Sequence, residues 1–254
     1  MKMVFSSKEN YIKGDKVYIS EPNDFKHLRK VQRIKIDEEL LFFDLERNIQ
    51  FRCKVVDFGK DEIILRVVDS SLISRAKPEI VLIQSLIQKS SFEDELNRLS
   101  ELGVDIVQPI ISKHSQNYEF DDKYMERLRR IAFEGAKTVG NPFPTKVLRP
   151  FSITKTYSDF KEFVSSFQGT TFKILFTNRN IGGVSLNLFE VIEEVRNFDR
   201  VIFCVGSEGG FTSEEEDNIA SLGFTPVNLG KEILLRSDTV SVGVSFVFRL
   251  TRFL

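Results

Sequence analysis

"VGSEGGFTSEEE", residues 205–216, follows directly on an apolar run, Val201-Ile-Phe-Cys-Val205. A strand that enters glycines and then a capped helix is the repeating unit of an open α/β sheet, where ligands sit at the carboxyl ends of the strands. Thr212 or Ser213 can cap that helix, with Glu215 or Glu216 three residues on completing a capping box. The loop is no ordinary phosphate site. Gly206, Gly209 and Gly210 lack the G-x-G-x-x-G spacing of a dinucleotide fingerprint, and no Lys-Ser/Thr pair follows the last glycine as a P-loop requires. It carries Glu208 where a phosphate would want a cation. Taken alone, the loop is a tight turn whose glycines supply positive φ. Three such strand ends occur in series, however: FTNRNIGG (176–183), the loop itself, and LGKEILLRSDT (229–239), the last with an Arg and an Asp two apart. Together they point to a ligand clamp.

Outward from the loop, strands alternate with helices. EIVLIQSL (79–86), DIVQPII (105–111), TFKILFTN (171–178), DRVIFCV (199–205) and PVNL (226–229) read as strands, nearly continuous in apolar residues. Helices are expected over 90–104, closed by Gly103, over 123–137, near 186–196, from 213 and from about 238. This predicts a parallel sheet buried on both faces over residues 73–254. The first 72 residues have a different rhythm. KVYIS (16–20), ELLFFD (39–44), IQFRCKVVDFG (49–59) and EIILRVVDS (62–70) are short strands separated by turn signals, which predicts a small antiparallel β-barrel. The stretch 70–78, ending in a proline, reads as the linker, and the proline-rich 140–150 as a surface loop.

The 254 residues can bury a real core, and 41% hydrophobic against 29% charged residues describe an ordinary globular chain. No apolar run is long enough to cross a bilayer, and the N-terminal residues lack the apolar centre of a signal peptide, so a cytoplasmic location is expected. Cys53 and Cys204 lie in strand-like stretches and are expected to be buried thiols, and two histidines without cysteine neighbours give no zinc set, so no metal is expected. A net charge of −1 hides an uneven distribution: residues 1–77 carry 16 Lys+Arg against 13 Asp+Glu. Lys26, Arg29, Lys30, Arg33 and Lys35 fall within ten residues, and RLRR (127–130) makes a second basic run. Each alone is a solvated face; two in one chain raise nucleic-acid binding, with Lys26, Arg29, Lys30, Arg33, Arg127 and Arg130 as candidate RNA contacts.

Leu102-Gly103-Val104 with Pro109, VGSEGGFTSEE, LGKEILLRSDT and HLRKVQR (27–33) resemble, in order and spacing, the small-subunit rRNA methyltransferase E family of the SPOUT superfamily. The resemblance covers nearly the whole chain. It implies a trefoil-knotted methyltransferase domain, with the knot at about 171–254, behind a PUA-like RNA-binding barrel. It further implies a homodimer that binds S-adenosyl-L-methionine in the knot and methylates N3 of a uracil in 16S rRNA of the 30S subunit (uracil 1498 in that family). A sulfonium nucleoside carries no phosphate, which explains a glycine loop without lysine. The cofactor residues implied are Leu175, Phe176, Thr177, Val205, Gly206, Ser207, Glu208, Gly209, Gly210, Leu229, Gly230, Leu234, Leu235, Asp238 and Thr239. Arg236 matches the family's arginine and is the catalytic candidate, steadying charge on the uracil oxygens, with an ion pair to Asp238 as its simpler role. Two roles stay open for Glu208, capping backbone donors or contacting the partner chain.

The chain departs from the family pattern in places. Ser207 replaces the loop proline, Ser237-Asp238-Thr239-Val240 replaces Thr-Glu-Thr-Ala, and the run between Gly230 and Arg236 is one residue longer. His114 stands where the family has an arginine, the family's Gln…Arg pair in the next helix is lost around Thr138 to Asn141, and its basic loop after the first strand is only Gln88-Lys89-Ser90-Ser91. These positions face RNA by resemblance, so two further readings are kept: an RNA-binding or ribosome-assembly protein of the same fold without methyl transfer, or a methyltransferase for another RNA position.

Overall fold

The computed structural model describes residues 2–179, 181, 188–229 and 237–252. The chain separates into two compact units, Met1–Arg75 and Ala76–Leu254.

In the first unit β1 (Lys2–Phe5), β2 (Asn10–Lys13) and β3 (Lys16–Ile19) precede a short helix, α1 (Pro22–Lys26), which runs into one π-helical turn, His27–Val31. β4 (Glu39–Asp44), β5 (Ile49–Phe58) and β6 (Ile63–Leu72) follow, giving a six-stranded sheet of order β1-β4-β5-β6-β3-β2. The sheet is mixed, not antiparallel throughout as the strand-and-turn pattern predicts: β1 runs parallel to β4, Val4 opposite Phe42. A parallel neighbour needs a crossover. Here β2, β3 and the helical segment supply one, and a pairing so distant leaves no local signal. Strand periodicity places Val17, Ile19, Ile63, Leu65, Cys53, Val55, Leu40 and Phe42 on one buried face. Leu28 is the only residue of the π-helical turn in that core. Asn10, fully buried, accepts from the amides of Ser20 and Glu21 and donates to Asp24 at 2.7 Å, which fixes where the helix begins.

The second unit carries β7 (Glu79–Ser85), α2 (Lys89–Leu102), β8 (Ile106–Ile111), α3 (Asp122–Val139), β9 (Lys146–Val147), β10 (Phe151–Ser152) and α4 (Ser158–Ser165). Then come β11 (Thr171–Phe176), α5 (Leu188–Val195), β12 (Arg200–Val205), α6 (Ser213–Ser221), β13 (Thr225–Val227) and α7 (Ser237–Leu250). All strand pairs are parallel, in the order β10-β8-β7-β12-β11-β13, with β9 also beside β8. Both faces are covered. Along β7, Ile80 and Leu82 face a cluster with α2, α3 and α7, whereas Val81 and Ile83 face one containing Phe160 of α4 and Ile219 of α6. Each such fully buried aliphatic side chain contributes about 1.5–3 kcal/mol. α2 ends at Gly103 (φ 75°), and Arg249 and Arg252 donate to the carbonyls of Leu102, Gly103 and Pro78. Arg252 also pairs with Asp105, and both side chains are buried. The knot expected at about 171–254 includes residues 180, 182–187 and 230–236, which lie outside the described residues.

Candidate functional site

A cleft of about 350 Å³ opens at the carboxyl ends of β11, β12 and β13. Phe176, Thr177, Asn178 and Arg179 form one wall, Val205 to Phe211 the floor, and Val227, Leu229, Ser237 and Val240 the far side. Nine of the fifteen cofactor candidates therefore meet in one place: Phe176, Thr177, Val205, Gly206, Ser207, Glu208, Gly209, Gly210 and Leu229. Asp238 and Thr239 occupy the first turn of α7 between lining residues Ser237 and Val240. Leu175 does not line the cleft; strand alternation turns it into the opposite core, fully buried. Gly230, Leu234, Leu235 and the catalytic candidate Arg236 lie outside the described residues.

Space, more than backbone conformation, explains the glycines. Positive φ is needed at Gly210 alone of the three (67°). A Cβ on Gly206 would stand 2.9 Å from the Gly210 Cα, and one on Gly209 would stand 2.9 Å from the His114 Cβ. His114 packs against the loop, its Nδ1 3.1 Å from the Gly209 carbonyl, while the Ser207 hydroxyl donates to the His114 carbonyl at 2.9 Å. Ser207, in place of proline, thus anchors the loop to the segment after β8. Thr212 and Glu215 form a reciprocal capping box, and Glu215 also accepts from the Lys113 amide at 2.8 Å. Glu208 accepts a long hydrogen bond, 3.3 Å, from the amide of Gln88, the N-cap of α2.

Sequence reasoning missed two polar networks. Gln84, buried at the end of β7, donates to Ser237 Oγ at 2.8 Å and to the Gly206 carbonyl at 3.2 Å, while its own carbonyl accepts from Ser241 at 2.6 Å. It rivets the glycine loop to α7. A lone amide at the end of an apolar strand was the available signal. Across the cleft, Glu216 accepts from Thr177 Oγ1 at 2.6 Å and from Arg179 at 2.9 Å, holding the end of β11 against α6.

Behind α7 lies a buried carboxyl. Glu95 is 1% exposed, and neither of its oxygens has a hydrogen-bond partner among the described residues. Burial pushes its pKa up to about 8, Asp238 and Glu208 push the same way, and only the Ser241 hydroxyl opposes them. The nearby Tyr118 and Tyr124 hydroxyls are likewise buried without partners, and burial raises both. Phe92, Glu95, Leu96 and Leu99 have amphipathic spacing, so a carboxylate on the apolar stripe of α2 was the legible signal.

The basic candidates are divided. Lys26, Arg29, Lys30 and Arg33 are all exposed, but the Arg29 guanidinium sits 4.0 Å over the Phe58 ring, giving it a packing role as well. Arg127 forms a two-point pair with Glu93, at 2.9 and 2.5 Å, which raises its pKa further. With Arg130 it lines a groove between α2 and α3 that also contains Glu93, Asp94 and Glu134, so that surface is of mixed charge.

Residues 75–247 match the RNA methyltransferase domain, and residues 19–68 the RNA methyltransferase PUA domain. The chain belongs to the RNA methyltransferase family. Two members of similar length are both named ribosomal RNA small subunit methyltransferase E. The protein from Aquifex aeolicus (strain VF5) is 28% identical over 95% of this chain and 96% of its own. That from Mesomycoplasma hyopneumoniae (strain 232) is 25% identical over 85% of this chain and 87% of its own. The fold is that of a solved RNA methyltransferase, the ribosomal RNA small subunit methyltransferase E of Neisseria gonorrhoeae bound to S-adenosyl methionine: TM-score 0.74, 23% identity, 96% of this chain and 95% of that one. No helix among the described residues is long and apolar enough to cross a membrane.

Proposed function

We propose that this chain transfers a methyl group from S-adenosyl-L-methionine to N3 of a uracil in 16S rRNA of the small ribosomal subunit, uracil 1498, and that it works as a homodimer. The observation that carries this reading is the convergence of the glycine loop and its flanking strand ends on one cleft, in a chain whose full-length relatives bear that enzyme's name. The residues present suit the cofactor. Phe176, Val205, Val227 and Leu229 give apolar walls for a purine, and the loop amides and carbonyls give hydrogen-bond groups for a base edge and ribose hydroxyls. Glu208 and Asp238 favour a cationic ligand over a phosphate. Bound there, the cofactor supplies an electrophilic methyl on a positive sulfur.

The protein's own share is positioning and charge. Gln84 and His114 hold the glycine loop against α7 and the β8 end, so the ligand-facing backbone is set before the substrate arrives. When N3 loses its proton and attacks, negative charge spreads over the uracil oxygens, and Arg236 is the cation assigned to meet it. The exposed run Lys26, Lys30 and Arg33 draws the rRNA to the N-terminal unit.

Calorimetry tests the cofactor half without RNA. Saturable binding of S-adenosylmethionine is expected in the wild type, with loss in Gly209→Val, whose side chain would strike His114. Undiminished binding in the variant would reduce the loop to a turn. Methyl transfer to 30S particles lacking the modification, mapped by mass spectrometry, then tests the base; a methyl on another position would replace the substrate while keeping the enzyme.

A further inference from the structure

The outer face of the N-terminal sheet carries an arrangement that the core does not explain. Strand alternation buries Val17, Ile19, Ile63 and Leu65 and turns Lys16, Tyr18, Ile64 and Arg66 to the other side. Register aligns these residues in rows across the strands. One row runs Lys13, Lys16, Arg66, Lys54; the next runs Tyr11, Tyr18, Ile64 and ends on the exposed carboxylate of Asp57 on β5, the strand of this row farthest from the tyrosines. Tyr11 lies on the edge strand β2, 44% exposed, its ring stacked on that of Tyr18 at 5.2 Å and 15°. Several other cations on this unit have carboxylate partners: Lys2 pairs with Glu38, Arg47 with Asp44, and Arg52 and Lys54 with Glu39. Lys13, Lys16 and Arg66 have no ion-pair partner among the described residues, and all three are exposed. The hairpin that carries both tyrosines and two of these lysines precedes the PUA match at 19–68.

We propose that this face is a platform for an unpaired RNA segment, with bases stacking on the Tyr11–Tyr18 pair while Lys13, Lys16 and Arg66 follow the phosphates. Rows two residues apart along a strand are separated by about 7 Å, and neighbouring strands by about 4.8 Å, so rings and cations fall within the reach of one or two nucleotides. Stacking on aromatic faces beside a cationic track is the usual chemistry of single-strand binding, and it needs no particular sequence. A duplex, its bases already stacked, would use the cations but not the tyrosines. The inference rests on RNA as the substrate and adds to the Lys26–Arg33 run a second contact surface that selects unpaired strand.

The test measures fluorescence anisotropy of the full-length protein against a labelled single-stranded RNA of about ten nucleotides and a duplex of the same sequence, over a range of salt. Tyr11→Leu/Tyr18→Leu should weaken single-strand binding by about 10- to 100-fold, leaving duplex binding and the salt slope as in wild type. Tyr11→Phe/Tyr18→Phe, which keeps the rings, should restore it. Lys13→Ala/Lys16→Ala/Arg66→Ala should flatten the single-strand salt slope by about two. Thermal melting of each variant separates loss of the hairpin from loss of contact; if the leucine variant fails to fold, the triple variant decides. Wild-type single-strand affinity in the leucine variant, equal loss on duplex and single strand, or an unaltered salt slope in the triple variant overturns the platform. A wild type that binds neither RNA overturns the rRNA reading as well. Weakening confined to Lys26→Ala/Arg29→Ala/Lys30→Ala/Arg33→Ala leaves that reading standing and removes only this surface.

Discussion

Glu95→Gln should make the protein more stable at alkaline pH and leave it nearly unchanged in mild acid. The Glu95 carboxyl is buried without a partner, with a pKa raised from 4.5 to about 8. A carboxyl raised in this way is protonated in the folded chain and ionised in the unfolded one, so folding takes up a proton. The pH-dependent part of its burial cost is absent below the unfolded pKa near 4.5, and it grows through neutrality until the folded pKa is passed near 8. At 1.36 kcal/mol per pH unit, wild type should lose on the order of 3 kcal/mol by pH 7 and on the order of 4–5 kcal/mol by pH 9. Glutamine imitates the protonated form in shape and charge, and any fixed penalty for its amide is the same at every pH. The assay is urea unfolding of both proteins from pH 5 to 9, reading the difference in free energy, in which all other titrating groups cancel. Asp238→Asn or Glu208→Gln in the wild-type background should lower the folded pKa of Glu95, since each removes a like charge that now disfavours ionisation, so the loss should level off at lower pH and be smaller at pH 9. A difference between wild type and Glu95→Gln that stays flat across this range would show that Glu95 is ionised or solvated, and the reasoning would fail.

Asp105→Ala should cost about 3–5 kcal/mol in denaturant unfolding, because it strands the buried Arg252 guanidinium and frees the Ile80 amide, now 2.8 Å from Asp105. Adding Arg252→Met should recover part of that loss; no recovery would mean that the pair is not the cause. At the chemistry, Arg236→Ala should lower methyl transfer by about 100- to 1,000-fold with cofactor affinity kept, and Arg236→Lys should rescue only in part. Wild-type turnover in Arg236→Ala, measured as single-turnover methyl incorporation, would remove Arg236 from the mechanism.

The parallel sheet was legible because its strands are buried on both sides and so read as continuous apolar runs, bounded by caps and by Gly103 and Gly140 in left-handed conformation. The four-residue β1 and β2 were not legible, being shorter than any useful period, nor was α4, whose two buried anchors, Phe160 and Val164, sit among polar residues. The glycine loop announced a site through composition. What holds that loop, Gln84 from 122 residues upstream and His114 from the end of another strand, depends on which strands become neighbours. β7 beside β12 is a tertiary fact with no local trace. Glu95 is a different case: its position on an apolar stripe was visible, but only the packed structure reveals that no cation among the described residues answers its charge and that its neighbours Asp238 and Glu208 repel it.

Arg249 and Arg252 close the carbonyl end of α2, 147 and 149 residues earlier in the chain, and Arg252 neutralises Asp105 at the start of the next strand. During synthesis, therefore, the first strand–helix–strand of the second unit leaves the ribosome with α2 capped by its own Gly103 and Asp105 held by the Ile80 amide, but without the two arginines that complete both. The first unit, Met1–Arg75, is a compact unit of its own and is expected to close while translation continues. The second gains the Arg249 and Arg252 contacts only after α7 has been made. A chain stalled before Arg249 would lack these contacts, and its second unit is expected to be more open to proteolysis than the finished one.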